Sequence, residues 1–310
     1  MPSVSVVIPV YNVEQYIVRC LNSIIEQTLK DIEIIVVDDC SPDNSMCYVR
    51  DMAEKDNRIK IFTHSSNKGL MWARKTGYSQ AKGDYITFCD SDDYLPQNAL
   101  DILYKEALKT GADVLSGNLE YIDLNGNHKV LFSTLKYGND KESAFKSLLR
   151  GELRHNLCSK LFKRTLLTEY NYITYENFTN GEDGCLFYQI VNNCDSIVQI
   201  DNSVYYYMQN TASSSQVRLG ENAIKSICIA NKMRLDVVSK YPRLRKDLKK
   251  CITKVLSFLY AEGYDKDARL KHYINEYKLQ EYLTLYSFVK YNTFMNIIYL
   301  IFRRTKYCLF

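Results

Sequence analysis

Short β-branched runs alternate with stretches carrying an apolar stripe from Val4 to Leu115, and that alternation organises the first third of the chain. Val4-Ser5-Val6-Val7-Ile8-Pro9-Val10 is apolar on both faces of a pleat, so it reads as a strand buried on both sides. Residues 14–28 place Ile17, Leu21, Ile24 and Ile25 at helical spacing. Ile32-Glu33-Ile34-Ile35-Val36-Val37 predicts a second strand ending at Asp38-Asp39, and Ser41-Pro42 predicts an N-cap followed by proline at the first helical position. Ile59–Phe62 is a third strand, and residues 69–81 are a helix closed by Gly83. Tyr85–Phe88 is a fourth strand running into Asp90-Ser91-Asp92-Asp93, a helix starts at about Pro96, and Ala112–Leu115 is a fifth strand. Such alternation predicts an α/β fold, a parallel sheet with helices on both faces. Ligands in these sheets bind beyond the carboxyl ends of the strands. Pro9–Asn12, Asp38–Asp39 and Asp90–Asp93 therefore belong along one edge.

The pattern then changes. Asp123-Leu124-Asn125-Gly126 is a hairpin signal, since Asn-Gly suits a type I′ turn. Residues 182–194 read as a helix with Leu186, Ile190 and Val191 on one face, Val204–Tyr207 as a short strand, and everything from about residue 218 as helical. The length of 310 residues predicts one large domain with an appendage, or two domains.

Charge narrows the choice of partner. The net charge is only +4 and both signs are interspersed through the first two thirds, which does not call for nucleic acid. Basic residues gather late, at Arg243, Arg245, Lys246, Lys249, Lys250 and Lys254, then at Arg303, Arg304 and Lys306. The ten cysteines are scattered with no Cys-x-x-Cys, and Cys20, Cys89 and Cys228 sit in apolar runs as small hydrophobes. No basic stretch followed by an apolar core opens the chain, so a reduced, cytoplasmic protein is expected.

Three acidic constellations can carry chemistry. Asp90 and Asp92, at i and i+2 of an extended segment, would point to one side and suit Mg²⁺ or Mn²⁺ held with substrate phosphates. The alternative is an acidic turn ahead of the helix at Pro96. Asp38-Asp39 ends the neighbouring strand and would accept hydrogen bonds from a base or ribose, or simply lead into the Ser41 cap. Gly181-Glu182-Asp183 opens a helix, where carboxylates are favoured by the macrodipole, or where one waits as a general base for a hydroxyl. No Gly-x-Ser-x-Gly, Gly-x-x-x-x-Gly-Lys or Gly-x-Gly-x-x-Gly motif is present. The histidines at 64, 128, 155 and 272 share no zinc-ligand spacing, and the nearness of His155 to Ser159 carries no chemistry.

Residues 4–93 resemble the nucleotide-sugar half of glycosyltransferase family 2, which has the GT-A fold. The matching stretches are Val7–Asn12 with Glu14, Val36–Ser41, Asn67-Lys68-Gly69, Ala73-Arg74, Gly77, Gly83-Asp84-Tyr85 and Asp90–Asp93. The likeness continues more thinly through Ser159–Lys163, Gly181–Asp183 and Tyr205–Tyr207. It implies a GT-A domain over residues 1–217, with a donor half of about 1–118 and an acceptor half of about 119–217, followed by a helical region over 218–310. It further implies that Asp39 pairs with the base, that Pro9, Tyr11 and Glu14 line the nucleoside pocket, and that Asp90 holds the ribose side. Asp92 would hold Mn²⁺ or Mg²⁺, Arg74 and Lys68 would lie near the nucleotide, and Asp183 would be the catalytic base. Asn12, Gly69, Ser91 and Glu182 complete the implied substrate-binding set. Lys75, Cys158 and Met208 depart from residues common in relatives, and Met208 removes a basic contact that the loop after the tyrosines often supplies.

The implied reaction is inverting transfer of one sugar from a nucleotide diphosphate sugar, a UDP-sugar, to a hydroxyl of a glycan or lipid-linked glycan. The only Trp is Trp72, so the Gln-x-x-Arg-Trp motif of processive members is absent. Transfer to polyprenyl phosphate, synthesis of the nucleotide sugar, and a non-catalytic sugar-binding relative are the alternatives. Phe294–Phe302 is apolar but far short of the ~20 residues that span a bilayer. With Arg303, Arg304 and Lys306 behind it, this stretch either lies on the inner face of an anionic membrane or docks on the protein's own core.

Overall fold

The computed structural model of the chain describes residues 1–176, 178–210, 220–261 and 267–283. The first apolar run forms β1 (Val4–Val10), buried along its whole length. β1 pairs in parallel with β2 (Ile32–Asp38) and β4 (Tyr85–Phe88), and β3 (Ile59–Thr63) extends the sheet beyond β2. Alternate residues of β1 face opposite ways. Val4, Val6, Ile8 and Val10 pack with Ile17, Leu21 and Ile24 of α1 (Ile17–Ile25), Met46 and Val49 of α2 (Ser45–Ala53), and Leu100 and Leu103 of α4 (Ala99–Thr110). Val7 faces α3 (Leu70–Gln80), packing with Met71, Ala73 and Tyr78. The first four expected strands are present, and the three acidic or polar strand ends fall on one edge.

The sheet is mixed beyond β4. A strand unforeseen from the sequence, β7 (Lys160–Lys163), lies antiparallel between β4 and β5 (Val114–Ile122). The expected fifth strand is thus real but not adjacent to the fourth. β6 (His128–Leu131) pairs with β5 through a hairpin at the foreseen place, though the loop spans Asp123–Asn127 rather than a two-residue turn. Asp123 Oδ1 accepts the amides of Asn125 and Asn127 and stabilises that longer loop. β8 (Ile197–Met208) runs parallel to β5 and begins seven residues earlier than the apolar pattern suggests, because Asp201, Asn202 and Ser203 interrupt the alternation at a register shift.

Two local expectations fail for physical reasons. Ser41-Pro42 does not start α2, whose N-cap is Asn44. Ser41 Oγ instead accepts the Asn12 amide across to the β1–α1 loop (2.8 Å). Gly83 does not cap α3, since the helix ends at Ala81 in an extended conformation. Glycine is required at 83 because a Cβ there would lie 2.7 Å from the Ser5 amide nitrogen and 2.9 Å from the Val4 carbonyl carbon.

Behind the sheet stand α5 (Lys141–Arg150), α6 (Arg164–Thr168) and α7 (Glu182–Asn193). The C-terminal helices α8 (Glu221–Val238), α9 (Arg245–Ala261) and α10 (Ala268–Glu276) continue the same core, α8 against α7 and α9 against α5. Among the described residues no helix is long and apolar enough to cross a membrane. Phe294–Phe302 lies outside the described residues.

Gly83→Ala is expected to lower stability by about 1–3 kcal/mol, because backbone rather than a flexible side chain meets the new methyl. Urea unfolding measures this, and an unchanged midpoint would contradict the packing described.

Candidate active site

Two loops at the carboxyl ends of β1 and β2 are tied together before any ligand arrives. The amide of Val13 donates to Ser45 Oγ (3.1 Å), that of Glu14 to Asp43 Oδ2 (2.8 Å), and that of Asn44 to Glu14 Oε2 (2.9 Å). Asn12 takes a left-handed conformation (φ 55°) to make this crossing, which an asparagine tolerates. Glu14 thus braces the start of α2, Pro9 is buried inside β1, and Tyr11 stands 46% exposed at the rim.

Asp39 organises the next loop. Its carboxylate accepts the amides of Lys68 (2.9 Å) and Gly69 (2.8 Å), and His64 Nδ1 lies 2.7 Å away. A carboxylate only accepts, so that imidazole nitrogen carries its proton towards Asp39. His64 was not singled out from the sequence, because its partner lies 25 residues upstream. Gly69, at φ 88°, is the N-cap of α3. The Lys68 ammonium and the Lys75 ammonium lie 5.8 and 5.2 Å from the ring centre of Trp72.

From the second turn of α3, Arg74 reaches under the edge. It is 1% exposed and donates to Asp183 Oδ1 (2.5 Å) and Asp90 Oδ1 (2.8 Å). Burial alone would lower its pKa, but Asp183, Asp90 and Glu182 outweigh that and raise it, so the guanidinium stays charged. Asp183 Oδ2 also accepts the Leu157 amide (3.2 Å). Its side chain therefore turns to Arg74 and Leu157, and the N-cap Gly181 supplies no side-chain cap to α7.

Asp90–Asp93 is a turn, closed by the Asp93 amide on the Asp90 carbonyl (3.0 Å), and not the extended segment expected. The two carboxylates consequently take different partners. Asp90 faces Arg74, whereas Asp92 Oδ2 lies 3.4 Å from Asn210 Nδ2. Asn210 Oδ1 accepts the Tyr16 hydroxyl (3.1 Å), and Arg19 Nη2 donates to the Asp92 carbonyl (2.7 Å) while lying over the Tyr94 ring. Ser91 is buried. Asp93 is buried too, accepting Tyr205 Oη (2.8 Å) and the Met208 amide (2.8 Å), and Tyr205 Oη accepts the Asp90 amide (3.0 Å). The tyrosine stretch thus locks the acidic turn from below. Burial, then Asp92 and Asp90, push the Asp93 carboxyl well up.

Burial also dominates around Asp183. It raises Glu182 to about 8, with Asp183 adding to the rise. Glu182 as a residue is half-buried, yet its Oε2 is closed to solvent and has no hydrogen-bond partner. Lys160, 0% exposed, is lowered to about 8 by burial while donating to the Asn156 carbonyl (2.6 Å). His155 is lowered to about 4 by burial and by Arg234.

Among the described residues no group of three or more His, Cys, Asp or Glu side chains converges. Mg²⁺ or Mn²⁺ with a nucleotide commonly takes one or two carboxylates plus the phosphates. Asp90 is engaged by Arg74, and Asp92 has one long side-chain contact, so the residues present fit a cation that arrives with a diphosphate.

The mixed sheet with this acidic edge is the GT-A architecture of glycosyltransferases. The crystal structure of Staphylococcus aureus TarS 1-349 in complex with UDP-GlcNAc shares it, with a TM-score of 0.72 over 89% of this chain and 80% of that chain at 22% identity. Residues 5–170 match Glycosyl transferase family 2. An uncharacterized glycosyltransferase of Haemophilus influenzae is 33% identical over 229 residues, 73% of this chain and 83% of the relative. Glycosyltransferase GlyA of Streptococcus pneumoniae is 33% identical over 69% of this chain, which spans only 32% of GlyA. The chain belongs to glycosyltransferase family 2.

The raised Glu182 carboxyl has a measurable consequence. The folded chain keeps its proton up to about 8, whereas an unfolded glutamate loses it near 4.5. Between those values the folded state binds more protons, so this group's contribution to stability falls as pH rises. Glu182→Gln should therefore gain stability relative to wild type from pH 5 to pH 8 in urea unfolding. A pH-independent difference would contradict the buried acid.

Proposed function

We propose that the chain transfers one sugar, with inversion, from a UDP-sugar to a hydroxyl of a glycan or lipid-linked glycan, with Mn²⁺ or Mg²⁺ at Asp92 and Asp183 as general base. The observation that carries this reading is the buried Arg74 guanidinium shared by Asp90 and Asp183. It ties the donor-side acidic turn to the carboxylate proposed as base, so the two halves of a displacement are held in one frame. Binding of UDP-GlcNAc by TarS supports the choice of donor class.

In this mechanism Arg74 and the Leu157 amide fix the Asp183 rotamer, and each Asp183 oxygen keeps a lone pair for the acceptor proton. Asp183 removes that proton as the acceptor oxygen forms its bond to the anomeric carbon. The bond from that carbon to the diphosphate oxygen breaks, and UDP leaves with the electron pair. Attack opposite the leaving group inverts the centre. A divalent cation, when bound, supplies neutralisation of the charge on the diphosphate. Tyr205, Arg19 and Asn210 hold the acidic turn in position, and Asp39 holds the Lys68–Gly69 loop that would receive the nucleoside.

Calorimetry and kinetics on two variants test the assignments together. UDP should bind wild type more tightly with Mn²⁺ than without, and Asp92→Ala should abolish that difference. Asp183→Asn should bind UDP as wild type does while transfer slows roughly 10²–10⁴-fold. Equal binding with and without cation removes the metal assignment. An active Asp183→Asn enzyme favours an acceptor that is already an oxyanion, such as a polyprenyl phosphate.

The same reading places the protein on an anionic membrane surface. Arg243, in the turn before α9, and Arg245, Lys246, Lys249, Lys250 and Lys254, in the first ten residues of α9, are all exposed, and the nearby Asp247 is paired with Arg150 (3.0 Å). Each basic residue near such a surface is worth about 1 kcal/mol. Flotation with phosphatidylserine vesicles should be salt-sensitive and lost on combining Lys246→Glu, Lys249→Glu and Lys250→Glu. Flotation unaffected by these changes would remove α9 from the membrane contact.

A further inference from the structure

Beside Asp183 lies a cationic group that the reaction as described does not use. Gly184, the next residue of α7, has no side chain, and a methyl placed there would sit 3.3 Å from His155 Cδ2 and 3.6 Å from Arg234 Nη2. Two polar side chains from different parts of the chain, the segment before β7 and the C-terminal half of α8, therefore converge on the first turn of α7. Arg234 donates to Asn231 Oδ1 (2.9 Å), and its guanidinium carbon lies 5.5 Å from the centre of the Tyr188 ring. Its Nε is closed to solvent with no partner. Among the described residues no carboxylate pairs with Arg234, and the His155 ring makes no hydrogen bond.

This is an unusual arrangement energetically. A half-buried guanidinium loses hydration and is ordinarily compensated by a carboxylate. The carboxylate nearest in sequence to Gly184 is Asp183, and Arg74 already takes it. The first-turn amides of the twelve-residue α7 add partial positive charge at the same end of the helix. A guanidinium fork, an imidazole and helix amides around one glycine match the oxygens of a phosphate or carboxylate. The position points to the acceptor rather than the donor as the carrier of that group. Asp92, proposed to meet the donor diphosphate, belongs to the turn after β4, whereas Arg234 and His155 stand beside the carboxylate that would take the acceptor's proton.

We propose that Arg234 and His155 form a subsite for an anionic group, a phosphate or a carboxylate, carried by the acceptor next to the hydroxyl that attacks. The proposal rests on the reading of Asp183 as the base that faces the acceptor. It makes charge on the acceptor a determinant of specificity: a neutral glycan would leave the guanidinium without a counter-ion.

The test is NMR of the full chain labelled at its four histidines, with the His155 ring signal identified by its loss in His155→Gln. The experiment is run with UDP and Mg²⁺ at saturation, so that the donor's own diphosphate position is filled. Inorganic phosphate should then move the His155 signal saturably. Arg234→Gln should weaken that binding roughly tenfold or more, and Arg234→Lys by less, since it keeps the charge and loses the fork. Acetate titrated in parallel tells a carboxylate site from a phosphate site by which anion binds more tightly. A His155 signal that neither anion moves overturns the subsite, as does equal phosphate affinity in wild type and Arg234→Gln. Should Arg234→Gln fail to fold, undiminished phosphate affinity in Arg234→Lys overturns it instead. The base assignment is judged separately by turnover of Asp183→Asn: loss of transfer there, with an unmoved His155, sinks the subsite alone.

Discussion

A buried guanidinium between two carboxylates is the constraint on which this site depends. Arg74 comes from the donor-side helix α3, Asp90 from just beyond β4, and Asp183 from the first turn of α7, 109 residues after Arg74. Arg74, 1% exposed, has these two carboxylates as its charge partners. The interior strengthens their attraction, and it equally makes an unpaired charge there expensive. The geometry of the edge is therefore over-determined by electrostatics, and the loops around it need only close in.

A second buried layer supports the first. Asp93 closes the acidic turn, and its buried carboxylate takes the Tyr205 hydroxyl and the Met208 amide, while the same hydroxyl receives the Asp90 amide. The end of β8 thus reads the shape of the turn after β4 through one tyrosine. Across the edge, Asp39 performs the same service for the Lys68–Gly69 loop by accepting two of its amides. Carboxylates that look from the sequence like ligands for a substrate are, in large part, braces for backbone.

The donor-side strands were legible because they are apolar on both faces and bounded by turn residues, as in Val4–Val10 and Ile32–Val37. The acidic edge was legible too, since strand–helix order alone places the strand ends together. β7 was not, because four residues beginning and ending in lysine carry too little periodicity, and its burial comes from neighbours distant in sequence. His155 and Arg234 carry no signal in the sequence for the same reason. Their meeting at Gly184 is a property of how α8 packs on α7, which no local pattern encodes. The i, i+2 argument for Asp90 and Asp92 failed where the strand gave way to a turn, in which Asp90 meets Arg74 and Asp92 meets Asn210.

The position of β7 bears on how the protein is made. β4 ends at Phe88, and its second neighbour in the sheet begins only at Lys160. While the ribosome adds the intervening residues, β4 remains an open edge with its outer backbone groups unpaired. Arg74 waits longer still for Asp183. Much of the native pairing is therefore remote in sequence, the condition that slows folding and lengthens exposure of unpaired strands. The donor-side strands can assemble early, but the acidic edge takes its final form only after Asp183 has emerged.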